Sequence, residues 1–197
     1  MEFKKYNHSK EEKKISDFWI KKGLFKPKKN KSNKKFSIVI PPPNVTGRLH
    51  MGHALNNSLQ DVLVRFNRMK GLETLWQPGT DHAGIATQAL VEKHLKSKNI
   101  NKEQIGREKF IKKVWKWKEE YGGKIINQLK KLGCSCDWSR NAFTMDKNLS
   151  KSVIKVFVEL HKKKLIYKAE KLVNWDTVLK TAISDLEVDQ REMNSKI

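Results

Sequence analysis

Cysteine is almost missing from this sequence: two residues in 197, Cys134 and Cys136, one position apart. The spacing is too short to close a useful loop, and the number too small for a secreted disulfide framework. A reducing, cytoplasmic setting is expected, with buried or idle thiols. Long apolar runs are lacking too. No eighteen apolar residues occur together, and the basic first fourteen residues lead into no hydrophobic stretch, so neither a membrane span nor a signal peptide is expected. Ten glycines and five prolines exclude a collagen-like or low-complexity chain.

Arginine is scarce, with six residues against 36 lysines, yet the formal charge reaches +21. Such a charge suits a polyanion such as nucleic acid. It is unevenly placed: residues 1–35 carry a net +9, residues 36–92 balance four against four, and residues 93–197 carry a net +12. Lysine runs are often only solvated faces. With Asn and Ile also plentiful, compositional drift and a nucleic-acid surface both remain open. Hydrophobic side chains at 38% and charged ones at 32% allow one medium domain or part of a larger one.

Residues 1–35 read as a Lys-rich amino-terminal extension, with a turn or two of amphipathic helix around Ile15, Phe18, Trp19 and Ile20 and then a Lys/Asn-rich linker. The domain proper is expected over 36–165, followed at 166–197 by the start of another segment. Phe36–Ile40 is short and β-branched, the pattern of a strand buried on both faces. Three prolines then forbid further ladder pairing. Apolar residues from Leu55 to Met69 recur every three or four positions until Gly71, predicting a helix from Leu49 to Lys70. Glu73–Trp76 forms a second strand, QPGTDHAG a loop, and a further helix runs to about Leu95. Strand, helix, strand predicts a right-handed crossover, and hence an α/β fold with a Rossmann-like parallel sheet. Helices follow over Arg107–Glu120, Ile125–Leu132 and Asn148–Lys164, with a pause at Gly122-Gly123. The pieces LIY and LVNW between Leu165 and Trp175 suggest a hairpin or small sheet.

Ligands of open parallel sheets collect at the carboxyl ends of strands, where both unusual loops, PPPNVTGRLHMGH and QPGTDHAG, lie. Gly47 permits a tight turn, and the helix after it offers free N–H groups to an anion. His50 and His53 share one face of its first turn, and Gly52 between them leaves room for a flat ring. Two imidazole donors at a helix start suit nucleotide phosphates, and the same spacing also fits two ordinary packing or capping histidines. A metal is not expected: His82 is the sole further nitrogen ligand nearby, and no H-E-x-x-H occurs. Asp81 has two readings, a cap for the helix near Ala83 or a carboxylate that receives a substrate ammonium.

PPPNVTGRLHMGH resembles the H-x-G-H signature of class I aminoacyl-tRNA synthetases, here His50-Met51-Gly52-His53. Together with GTDHAGIATQ it resembles the valyl-tRNA synthetase family specifically. Isoleucyl and leucyl relatives vary both loops and typically carry Trp where this chain has Thr80. The likeness continues through GREKF, VWKWKEEYGG, LGCSCDWSRNAFTMD, LVNW and SDLEV, covering about Phe36 to Val188. It implies the first half of the synthetase catalytic domain, with added helices and a small β-rich root of the editing insertion.

The resemblance also implies ATP, as its magnesium complex, valine and tRNA(Val) as substrates. His50 and His53 would stabilise phosphate charge. Gly52 would lie against adenine, Asn44, Thr46 and Gly47 would line the nucleotide approach, and Pro41 with Asp81 would hold valine. A monomeric parent is implied. The second signature, K-M-S-K-S, is absent, so an amino-terminal fragment of a longer enzyme is expected, doubtfully active alone. A zinc pair that some relatives carry after N-W is replaced by Asp176 and Leu179, and zinc is not expected there. Competing readings are another H-x-G-H nucleotidyl transferase, which the downstream matches oppose, and a non-catalytic RNA- or protein-binding module.

Overall fold

The computed structural model describes residues 5–28 and 34–192; most of the expected Lys/Asn linker, 29–33, lies outside them. Two compact units meet in the chain at Ser150 and Lys151.

The first unit opens with α1 (His8–Lys21), longer than the one or two turns expected because Asn7 caps it by accepting from Lys10 N–H at 3.2 Å. This lead-in is fastened to the helix that follows the first strand. The Arg65 guanidinium lies 5.3 Å from the Trp19 ring centre, and Arg68 donates to the Phe25 carbonyl at 3.1 Å while covering its ring.

Strand β1 (Lys35–Val39), helix α2 (Met51–Met69) and strand β2 (Glu73–Gln77) form the expected crossover, with β1 and β2 parallel and Phe36 opposite Thr74, Ile38 opposite Trp76. Burial of β1 on both faces does not hold. Its residues alternate, and Val39 is 71% exposed, because Phe36 and Ile38 face the core while nothing among the described residues covers the other side. A second parallel pair escapes periodicity altogether: β3 (Gly79–Thr80) with β4 (Ala142–Phe143). Between them lie α3 (Gly84–Lys96) and α4 (Lys102–Lys131).

The expected pause at Gly122-Gly123 is absent, and α4 runs through it; its break is at Gly106, where φ is +74°. Two mid-helix glycines cost about 1 kcal/mol each, less than is gained by burying Ile125 and Leu129 completely, at roughly 1.5–3 kcal/mol apiece. These two pack with Ile40, Val45, Val64, Trp76 and Phe143 as the core. Cys134 and Cys136 are buried in it as free thiols.

In the second unit α5 (Lys147–Lys162) arrives from the first. Of LIY and LVNW only Asn174 and Trp175 enter the hairpin, which pairs β5 (Asn174–Asp176) with β6 (Thr181–Ile183), antiparallel. The reason is turn chemistry: Asp176 Oδ1 accepts from Val178 and Leu179 N–H at 2.8 and 2.7 Å, and Lys180 turns with φ +53°. Among the described residues no helix is long and apolar enough to cross a membrane.

Candidate active site

The chain leaving β1 enters three prolines that cannot donate to a ladder, pairs once more at Asn44 beside Asp81 and then turns into α2. The turn is closed by side chains. His50 is the N-cap: its Nδ1 accepts from Gly52 N–H at 3.1 Å, and His53 Nδ1 accepts from His50 N–H at 3.3 Å, a capping box made of two imidazoles. Their ring centres are 4.0 Å apart. Three of the first-turn amides are therefore not open to an anion as the glycine turn suggested. Gly52 N–H is taken by His50 Nδ1, and those of His53 and Ala54 by the His50 carbonyl at 3.0 and 3.2 Å. Because each Nδ1 accepts, each neutral ring carries its hydrogen on Nε2, the donor left for a ligand. Burial first, and the neighbouring His50 second, hold the His53 pKa below its usual 6.5, favouring that neutral form. A Cβ on Gly52 would stand 3.0 Å from His50 Cε1, so glycine is what lets the ring lie over the turn.

These residues wall a cleft of about 450 Å3, a size suited to a nucleotide. Pro41, Asn44, Thr46, Gly47, His50, Gly52 and His53 all line it. Asp81 does not. It lies beside them through the backbone, pairing with Asn44: Asp81 N–H donates to the Pro43 carbonyl at 2.8 Å and Val45 N–H to the Asp81 carbonyl at 2.9 Å. The two post-strand loops thus meet through the backbone, and no residue of QPGTDHAG lines the cleft. The Asp81 carboxylate, however, makes its contacts with Ala83 N–H (2.8 Å), Thr144 Oγ1 (3.4 Å) and His82 Nδ1 (3.4 Å), and not with either cleft imidazole. It stands two positions ahead of the helix cap, which is Ala83, with φ +46° and no side-chain cap.

Several residues that hold the site were not singled out from the sequence. Arg48, Asn56 and Asn57 line the cleft; the two asparagines lie three and four positions beyond His53, a spacing that could have flagged them. Helix α4 grips the first loop at two points, Trp117 Nε1–H donating to the Val45 carbonyl at 3.0 Å and Gln128 Oε1 accepting from Leu49 N–H at 3.1 Å. Helix α2 begins at Met51 rather than at Leu49 because His50 is its N-cap, with extended backbone at φ −123° and ψ 177°. No local pattern announces contacts across 72 and 79 residues. Among the described residues no three His, Cys, Asp or Glu side chains gather as a metal would require.

The sequence profile of the tRNA synthetases class I (I, L, M and V) matches residues 14–196. The chain belongs to the class I tRNA synthetases. Among curated relatives of this synthetase chain, a valine--tRNA ligase of Pelagibacter ubique is 77% identical over 193 residues, covering 98% of the chain and 22% of the relative. Valine--tRNA ligases of Cereibacter sphaeroides and Bdellovibrio bacteriovorus are 57% and 51% identical, each over 98% of the chain. The chain spans about a fifth of the length of these relatives. A solved ternary complex, Agrobacterium radiobacter K84 agnB2 LeuRS-tRNA-LeuAMS, matches 92% of the chain with TM-score 0.75 at 23% identity, a likeness of fold. The Rossmann-like reading of this class I synthetase segment agrees with that neighbour and with the parallel β1–β2 pair.

Proposed function

We propose that the chain is the amino-terminal part of a valine--tRNA ligase, which joins valine and ATP into valyl-adenylate and pyrophosphate and then passes the valyl group to the terminal adenosine of tRNA(Val). The observation that carries this is the imidazole capping box at a nucleotide-sized cleft, which fixes two Nε2–H donors side by side at a helix start. The valine carboxylate attacks the α-phosphate in line, so no enzyme nucleophile is required, and catalysis is positioning plus stabilisation of phosphate charge.

In this reading His50 and His53 donate through Nε2–H to phosphate oxygens, and the lowered pKa of His53 keeps it a neutral donor. The exposed backbone of Gly52 takes the adenine, with Asn44, Thr46 and Gly47 along the nucleotide path. Pro41 flanks valine, and the Asp81 oxygen not tied to Ala83 receives the ammonium. ATP arrives as its magnesium complex. The cleft walls carry no carboxylate, so the ion would travel on the phosphates. Zinc has no part in this reading. The enzyme is taken to be cytoplasmic and monomeric.

Removing one preorganised donor of this kind costs about a hundredfold or more in rate. The full-length protein containing this chain is expected to exchange pyrophosphate into ATP only when valine is present, and His53→Ala to lose at least about a hundredfold of that rate. Exchange independent of valine, or untouched by His53→Ala, would contradict the proposal.

A further inference from the structure

The parallel register of β3 and β4 sets Gly79 opposite Ala142 and Thr80 opposite Phe143. One step further, Thr144 stands beside Asp81, and its N–H donates to the Thr80 carbonyl at 3.1 Å. The close approach depends on Gly79, where a Cβ would stand 3.0 Å from the Ala142 carbonyl oxygen. Asp81 is therefore held between two backbones, the first loop on one side and the end of β4 on the other. The Thr144 hydroxyl reaches over this junction. It accepts from His82 N–H at 2.9 Å, lies 2.6 Å from His82 Nδ1 and 3.4 Å from Asp81 Oδ1.

A hydroxyl has one hydrogen to give and two lone pairs to accept with. With its lone pairs on His82 N–H and on the His82 Nδ1–H tautomer, its hydrogen goes to Asp81 Oδ1, which ties the turn to the carboxylate. Asp81 Oδ1 is held at the same time by Ala83 N–H, the bond that supports the left-handed backbone of Ala83. The buried Thr87 hydroxyl closes the turn by donating to the His82 carbonyl at 2.7 Å. One oxygen atom on β4 thus secures the turn that aims the Asp81 carboxylate.

We propose that Thr144 is a positioning residue for the amino-acid side of the site: its hydroxyl locks the Asp81–Ala83 turn, so that the outer carboxylate oxygen stands ready for a substrate ammonium. The inference rests on the reading of Asp81 as the amino-acid ligand. Thr144 contacts neither His50 nor His53 and does not line the nucleotide cleft, so its loss falls on the amino acid and spares ATP.

Two variants of the full-length protein test it. Thr144→Val keeps the branched shape and removes the oxygen, and Thr144→Ser keeps the oxygen and removes the methyl. In valine-dependent pyrophosphate exchange, Thr144→Val is expected to raise KM for valine about tenfold, with KM for ATP within about twofold and Thr144→Ser within about threefold of the unaltered enzyme. In parallel, hydrogen exchange of the peptide spanning residues 80–90 should quicken in Thr144→Val and not in Thr144→Ser. An unchanged KM for valine, equal damage by both variants, or parallel increases for valine and ATP would overturn the proposal. If the unaltered protein fails to use valine, the functional reading falls, and the exchange protection alone decides whether the hydroxyl locks the turn: a loss in Thr144→Val only supports the lock, and equal protection overturns it.

Discussion

A single atom decides much at the N-terminus of α2. The His50 ring can reach back to accept from Gly52 N–H because Gly52 has no Cβ to hold it off. His53 answers on the His50 amide with its own Nδ1, a bond that exists while that nitrogen keeps its lone pair. Its lowered pKa gives the sign of the pH effect. The folded turn prefers the neutral ring, so the contribution of His53 is fully present above the ordinary 6.5 and is lost as pH falls through the lowered value. The acid limb of kcat/KM for valine-dependent exchange should therefore have its midpoint below 6.5; a midpoint at or above that would contradict the assignment. The two thiols carry a second prediction. Burial, and next the Asp61 carboxylate, push the Cys134 pKa up to about 12, and burial with the Cys134 neighbour raises that of Cys136 as well. Neither should react with a thiol-disulfide reagent near pH 8 in the native protein, and both should after denaturation. Rapid native modification would show that the core around them is open.

Among the elements, α4 does for the first loop what no local sequence could. Gln128→Leu leaves the Leu49 N–H without its acceptor, a cost of about 1–2 kcal/mol. Protection of the peptide covering residues 44–54 against hydrogen exchange should fall about tenfold, and Gln128→Glu, which keeps an acceptor there, should retain most of it. Equal protection in all three would mean that the bond does not hold the loop. The crossover of β1, α2 and β2 is legible because six apolar residues of α2 keep helical spacing between a β-branched run and a second short strand segment. The imidazole turn was legible through His50, Gly52 and His53. The β3–β4 pair was not, since two-residue strands have no period to read, and with it went Thr144. The composition of β1 fits two-sided burial but cannot say whether anything covers the second face. Gly122 and Gly123 read as a pause by backbone propensity, which the buried contacts of Ile125 and Leu129 outweigh.

At the scale of the whole molecule, residues 36–92, which supply the cleft, are neutral in sum, whereas the +21 lies before and after them in the sequence; in the proposed reading it is the two imidazoles that face the phosphates. Leu55, Leu59, Val62 and Phe66 on α2 are each more than half exposed among the described residues, more apolar surface than a finished domain ordinarily leaves in water. Activity is therefore to be measured on the full-length protein. The decisive measurement is pyrophosphate exchange into ATP by that protein, with valine present or withheld and with His53 intact or replaced by Ala. Exchange that requires valine and falls at least about a hundredfold in His53→Ala is the result expected here, and exchange indifferent to valine or to His53 is the result that would contradict it.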